Sequence, residues 1–113
     1  MIQNNRNLQQ YFDLERVVQY PDSSLAEGAI RGWDKRSVYY FHMLKSLAEH
    51  FSFSIDTPFK ELTKKDREII LNGSDEEVVF SYVNDRGDIF KRTHAFEGII
   101  PNMERRYRET QSQ

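Results

Sequence analysis

Residues 77–96 read EVVFSYVNDRGDIFKRTHAF, and this stretch decides the fold class. Two β-branched and aromatic runs, 77–83 and 89–96, flank a glycine-containing loop of five residues, NDRGD at 84–88. Runs of that composition on either side of such a loop predict a β-hairpin. On the second run the two-residue period puts Phe90, Arg92 and His94 on one face, and Ile89, Lys91 and Thr93 on the other.

The sequence on either side of the hairpin is helical. From Asp34, a good N-cap residue, apolar side chains follow at 40, 41, 44, 47, 48 and 51, which predicts an amphipathic helix to about His50. On that spacing Tyr40 and Phe41 belong to the core. A second helical piece is expected near Thr57-Pro58. Thr63 and Asp66 have capping-box spacing and Asn72-Gly73 is a stop signal, so a helix is expected over 64–71, burying Ile70 with Leu71 or Ile69. Beyond the hairpin, Pro101 is expected to open a helix over NMERRYRET, with Met103 and Tyr107 at i, i+4. Residues 11–27 read as irregular, with a turn at Pro21-Asp22-Ser23 and one strand or short helix near 14–19. The polar residues 1–10 read as a frayed lead, and 111–113 as a tail. The expectation is one α+β domain over 11–110, with amphipathic helices packed on a small antiparallel hairpin.

The 113 residues allow a single hydrophobic core. With 38% hydrophobic, 30% charged and 13% aromatic residues, the chain is too aromatic to be disordered, and its 8 Phe and 6 Tyr make that core rich in rings. The net charge of −2 is unevenly spread: residues 31–50 carry +2, residues 51–79 carry −3 and residues 80–113 carry +1. Basic patches are therefore compatible with an acidic total. Without cysteine the chain can build neither a disulfide nor a thiolate zinc site. There is no apolar run of membrane-spanning length and no leader pattern, so a soluble, cytoplasmic protein with no membrane contact is expected. Catalytic motifs are missing: His42, His50 and His94 form no metal-ligand spacing, and no P-loop, Gly-x-Ser-x-Gly or Gly-x-Gly-x-x-Gly occurs. Asp75, Glu76 and Glu77 read as a solvated face. An enzyme is not expected from this chain.

Binding residues are better represented. Arg31, Lys35 and Arg36 crowd around Trp33 in GAIRGWDKRSVYYF (28–41), Arg86, Lys91 and Arg92 lie on the hairpin, and Arg105, Arg106 and Arg108 on the last helix. Lys and Arg supply salt-dependent phosphate contacts, and Trp and Tyr can stack on bases. Cations at a helix start oppose its dipole, so the first group requires an offset, and a bound phosphate would provide one. Trp33 is read as a lid on the core, with a platform beside DNA as the alternative.

Taken in order, SLAEGAIRGWDKRSVYYFHMLKSLAEHF, IDTPFKEL, VNDRGD and FEGIIPNMERRYRET closely resemble the A-subunit family of the bacterial UvrABC excinuclease, over roughly Gln9 to Thr110. The resemblance implies a domain from a larger protein: a dimeric ABC-type ATPase that finds bulky lesions in duplex DNA and loads a B subunit. It implies that this segment is the insertion domain of the first signature domain. The family's ATP and zinc sites lie outside this region, so no cofactor is expected in it. In the family a Cys-x-x-Cys zinc module precedes QQYFD, where this chain has MIQNNRNL. The DNA-contacting positions carried over are Arg31, Lys35, Arg36, Arg86, Lys91, Arg92, Arg105 and Arg106, touching phosphates without reading sequence. The alternative is a protein-interaction or spacer module that gates DNA access within the parent dimer. Convergence of the basic groups on one face favours DNA contact; scattering, or pairing with Asp34, Asp85, Asp88, Glu104 or Glu109, favours the spacer.

Overall fold

The computed structural model describes residues 17–111. The expected lead over 1–10, the part of the 11–27 segment before Val17, and residues 112–113 of the expected tail lie outside the described residues.

Residues 17–36 run as successive turns rather than as regular structure. Val18 bridges Ile30, and Ser24 bridges Pro58. Backbone bonds fasten the segment to the loop ahead of the second helix: Ala26 N donates to Ile55 O (3.0 Å), Phe59 N to Ser23 O (2.9 Å) and Lys60 N to Pro21 O (3.0 Å). These bonds satisfy backbone groups that would otherwise be buried unpaired beside Val17, Val18, Leu25, Ala29 and Ile30.

Helix α1 spans Val38–Phe51 and buries Met43, Leu44, Leu47 and Ala48 along one stripe. It starts three residues later than the sequence predicts. Ser37 occupies the N-cap position without a side-chain cap, and Asp34 is held in a turn closed by Ser37 N donating to Asp34 O (2.9 Å). The stripe is also rotated: Phe41 is half-buried outside the core cluster, and Met43 takes the buried place. The helix ends at Ser52 in the left-handed conformation, its N–H donating to Ala48 O.

A 3-10 turn, Phe59–Glu61, follows Pro58 and buries Phe59. Helix α2, Lys64–Asn72, starts at the expected cap, where Thr63 Oγ1 accepts from Asp66 N (3.1 Å). It buries Ile69, Ile70 and Leu71. Strands β1 (Glu77–Val83) and β2 (Ile89–Ala95) pair antiparallel, with Val78 opposite His94, Phe80 opposite Arg92 and Tyr82 opposite Phe90. Asn84 shapes the loop, its Oδ1 accepting from Arg86 N and Asp88 N at 2.9 Å each. Helix α3, Ile99–Gln111, opens two residues before Pro101. A proline is tolerated there because first-turn N–H groups have no intrahelical partner.

Helix α1 packs along β1, and α2 packs against α3. The alternating face of β1 (Val78, Phe80, Tyr82) closes the core, whereas β2 is exposed throughout. Ser46 of α1 accepts from Ser81 N (3.0 Å), covering one edge group of β1. The result is the α+β architecture read from the sequence, with one face of β2 left uncovered beside α1 and α3.

Candidate nucleic-acid interface

The uncovered face is built on rings. The first turn of α1 points Tyr40 back onto Trp33, centroids 4.1 Å apart, and sets Tyr39 flat on Tyr82 at 5.0 Å and 11°. Across the strand pair Tyr82 stacks on Phe90 (5.4 Å) and Phe80 on His94 (4.5 Å). Each such pair is worth about 0.5–1.5 kcal/mol beyond its area, so the series fixes the hairpin to α1. Trp33 is only 1% exposed, which makes it a lid on the core rather than a platform, whereas Tyr39 is 57% exposed. Burial first, and the neighbouring Tyr39 hydroxyl second, raise the Tyr82 phenol well above its ordinary range.

Guanidinium groups lie on two of these rings. Arg92 sits 5.6 Å from the centroid of Phe90, and Arg106, from α3, sits 5.1 Å from that of Tyr40. A cation over a ring keeps its charge available to solvent while its position is held. Between α1, the end of β2 and α3 lies a cleft of about 400 Å³ lined in part by Tyr39, Tyr40, His94, Asn102 and Arg106. Asn102 is 7% exposed; its Nδ2 donates to Glu97 Oε1 (3.2 Å), and its Oδ1 has no partner among the described residues.

The other predicted cations divide by partner. Arg36 donates from its backbone N and its Nε to Asp34 Oδ1 (2.9 and 3.3 Å) and from Nη2 to Asp34 Oδ2 (2.9 Å). Those bonds, the side-chain one foremost, hold the buried Asp34 carboxyl below its ordinary range and raise Arg36. For Arg36 the offset required near the helix start is therefore supplied within the chain, and Asp34 is a clamp on Arg36 rather than the helix cap. Arg105 grips Glu97 through Nε (2.9 Å) and Nη2 (3.1 Å), and also reaches Glu109 at 3.4 Å. Glu97 is lowered chiefly by that bond. Arg31, Lys35, Arg86 and Lys91 are exposed and have no carboxylate partner among the described residues.

Convergence is therefore partial. Arg92 and Arg106, from the second and third groups, stand at different points of one series of contacting rings, Phe90, Tyr82, Tyr39 and Tyr40. Arg31 and Arg36 line a separate polar cleft with Tyr20, Glu27 and Asp34. Lys91 lies on the opposite hairpin face, beside exposed Val79, Val83 and Ile89, and Arg86 is at the loop. Sequence reasoning missed Tyr39, Tyr82, Glu97 and Asn102. For Tyr82 a signal existed, since hairpin register places it opposite Phe90.

Residues 13–113 match the family model described as the UvrA DNA-binding domain. This chain belongs to the UvrA DNA-binding domain family. Proteins called UvrABC system protein A are similar to it: that of Pasteurella multocida is 60% identical over 106 residues, covering 93% of this chain and 11% of the relative. Those of Vibrio cholerae and Pseudomonas aeruginosa are 58% and 59% identical over the same coverage. The chain thus spans about a tenth of the length of these relatives. In this UvrA domain the rings of α1 and the hairpin, with Arg92 and Arg106 upon them, form the surface whose chemistry suits a nucleic acid.

Proposed function

We propose that this UvrA domain contacts duplex DNA through phosphates, without reading base sequence, as part of the A subunit of a nucleotide excision repair excinuclease. Arg92 and Arg106 are the central contacts, with Arg31, Lys35, Arg86 and Lys91 adding charge around them. One observation carries this reading: two guanidinium groups from different elements are positioned on rings of α1 and the hairpin and form no ion pair with a carboxylate among the described residues. Lesion search over any sequence calls for backbone contacts of this kind. Dimerisation, loading of a B subunit, ATP turnover and zinc binding belong on this reading to the rest of the parent protein. No helix among the described residues is long and apolar enough to cross a membrane.

The test is a salt titration of the chain with labelled duplex DNA of several sequences. Affinity should fall steeply and equally for all sequences as salt rises, and Arg92→Ala with Arg106→Ala should reduce the logarithmic slope by about 2. An unchanged slope would remove both residues from the interface. The pairing of Arg36 with Asp34, and of Arg105 with Glu97 and Glu109, favours a second reading, a spacer that gates DNA access by position. Failure to bind duplex at low salt would select it.

A further inference from the structure

The geometry points to a site for an unpaired nucleobase in the cleft between α1, the end of β2 and α3, and this inference rests on the DNA-contact reading above. Tyr39 is stacked on Tyr82 through one face and touches Tyr40 only edge-on, so with 57% exposure its other face is open. His94 is likewise exposed while stacked on Phe80. Both rings line the cleft that Arg106 borders and Asn102 reaches. The cleft therefore joins two ring faces, a cation placed by Tyr40, and a buried amide oxygen without a donor among the described residues.

Those parts match one ligand chemistry. A base offers a flat π-face to Tyr39 or His94, and every base has an N–H on its pairing edge that satisfies Asn102 Oδ1, itself closed to solvent, once the amide turns toward the cleft. The adjoining phosphate meets Arg106. Bases inside a duplex have both faces covered and that edge paired, so only an unpaired or extruded base can enter. Because all four bases carry a face and a donor, the site tolerates any sequence. The domain then reads a local loss of stacking, whereas Arg31, Lys35, Arg86 and Lys91 touch phosphates whether or not the bases are paired.

Anisotropy titrations of the chain with a labelled oligothymidylate, and with the same strand annealed to oligoadenylate, test this at one ionic strength. Tyr39→Leu should weaken single-strand binding by roughly 5- to 150-fold. Duplex affinity should stay within about twofold and both salt slopes should be unchanged. Equal losses on both DNAs, or no loss on the single strand, would overturn the base site while leaving the duplex reading intact. Binding to neither DNA by the wild-type chain would overturn both. A second measurement needs no variant: a single strand carrying 5-iodouracil, irradiated on the wild-type chain, should crosslink at Tyr39 or His94, and crosslinking confined to other residues would refute the site.

Discussion

Gly98→Ala is expected to destabilise the domain by about 2–5 kcal/mol, and the figure follows from two backbones in contact. The C-terminus of α2 meets the turn between β2 and α3 so closely that a Cβ on Gly98 would lie 2.4 Å from Asn72 C and 2.5 Å from Gly73 N. The contact is mutual: a Cβ on Gly73 would lie 2.5 Å from both Phe96 O and Glu97 O. Ser74 N donates to Phe96 O (3.1 Å) across the same junction, so the backbones cannot part without losing that bond. With φ at +99° at Gly98, alanine first incurs about 1–2 kcal/mol for a left-handed conformation. Forcing the backbones apart adds roughly 1–3 kcal/mol, as overpacking does elsewhere. Gly87→Ala separates the two costs, because φ is +86° there and no atom lies within 4 Å of the added Cβ. Urea unfolding followed by the emission of the single Trp, buried Trp33, reads both variants. At an m-value of about 1–1.5 kcal/mol/M the Gly98→Ala midpoint should drop by roughly 1–5 M with m unchanged. Equal midpoints for the two variants would refute the argument that backbone contact dominates. On the proposed reading the junction matters for function, since α3 begins at Ile99 and carries Asn102 and Arg106 into the cleft.

Trp33→Ala should cost about 3–5 kcal/mol, because the ring is buried and stacked at 4.1 Å on Tyr40. Thermal unfolding followed by circular dichroism should show a Tm lower by at least roughly 10 °C, and a change of only a few degrees would contradict the lid assignment. Asp34 gives a pH dependence with a definite sign. Its folded pKa is depressed, so its stabilisation is complete above its unfolded value of about 3.9 and is lost as pH falls through the folded value. The stability gap between wild type and Asp34→Asn, measured by urea midpoints from pH 6 downward, should therefore shrink below about pH 4; a gap constant to pH 2 would show that the carboxylate charge is not its source.

The hairpin was legible because its signals are local: a period of two, β-branched runs and a glycine loop. The register then follows from loop length, and it placed Phe90, Arg92 and His94 together as read. The start of α1 was not legible. Asp34 is a favoured cap type, but its carboxylate turns to Arg36 two residues on, a choice fixed by burial beside the Trp33 lid. Phe41 and Met43 are both apolar, so spacing alone leaves the rotation of α1 open by about half a turn. The hold of Arg105 on Glu97 spans eight positions, a separation outside helical pairing that exists only because the chain turns at Gly98. In each case a side chain was claimed by a partner that only the tertiary fold brings near.

The ion pairs explain how an acidic chain can present a cationic face. Exposed pairs such as those of Arg105 contribute only about 0–1 kcal/mol each, so they are poor candidates for general stabilisers, whereas the Arg36 pair holds a buried carboxylate. Their position is more telling. Asp34 and Arg36 close the turn that aims Tyr39 and Tyr40, and Glu97 ties the start of α3 to Arg105, one residue before Arg106. Asp34, Glu97 and Glu109 are thus paired with cations that shape the borders of this face and form no ion pair with Arg92 or Arg106, though Arg106 is close enough to Glu97 to help lower its carboxyl. On this reading the basic residues divide their work. Loss of Arg36 would misplace Tyr39 and weaken single-strand binding, and loss of Arg105 would misplace Arg106 and weaken duplex binding, each indirectly and with a small fall in stability. Loss of Arg92 or Arg106 would change the salt slope while the fold stays intact. The net charge of −2 records only the sum of these two populations, which is why it gave no guidance about the surface.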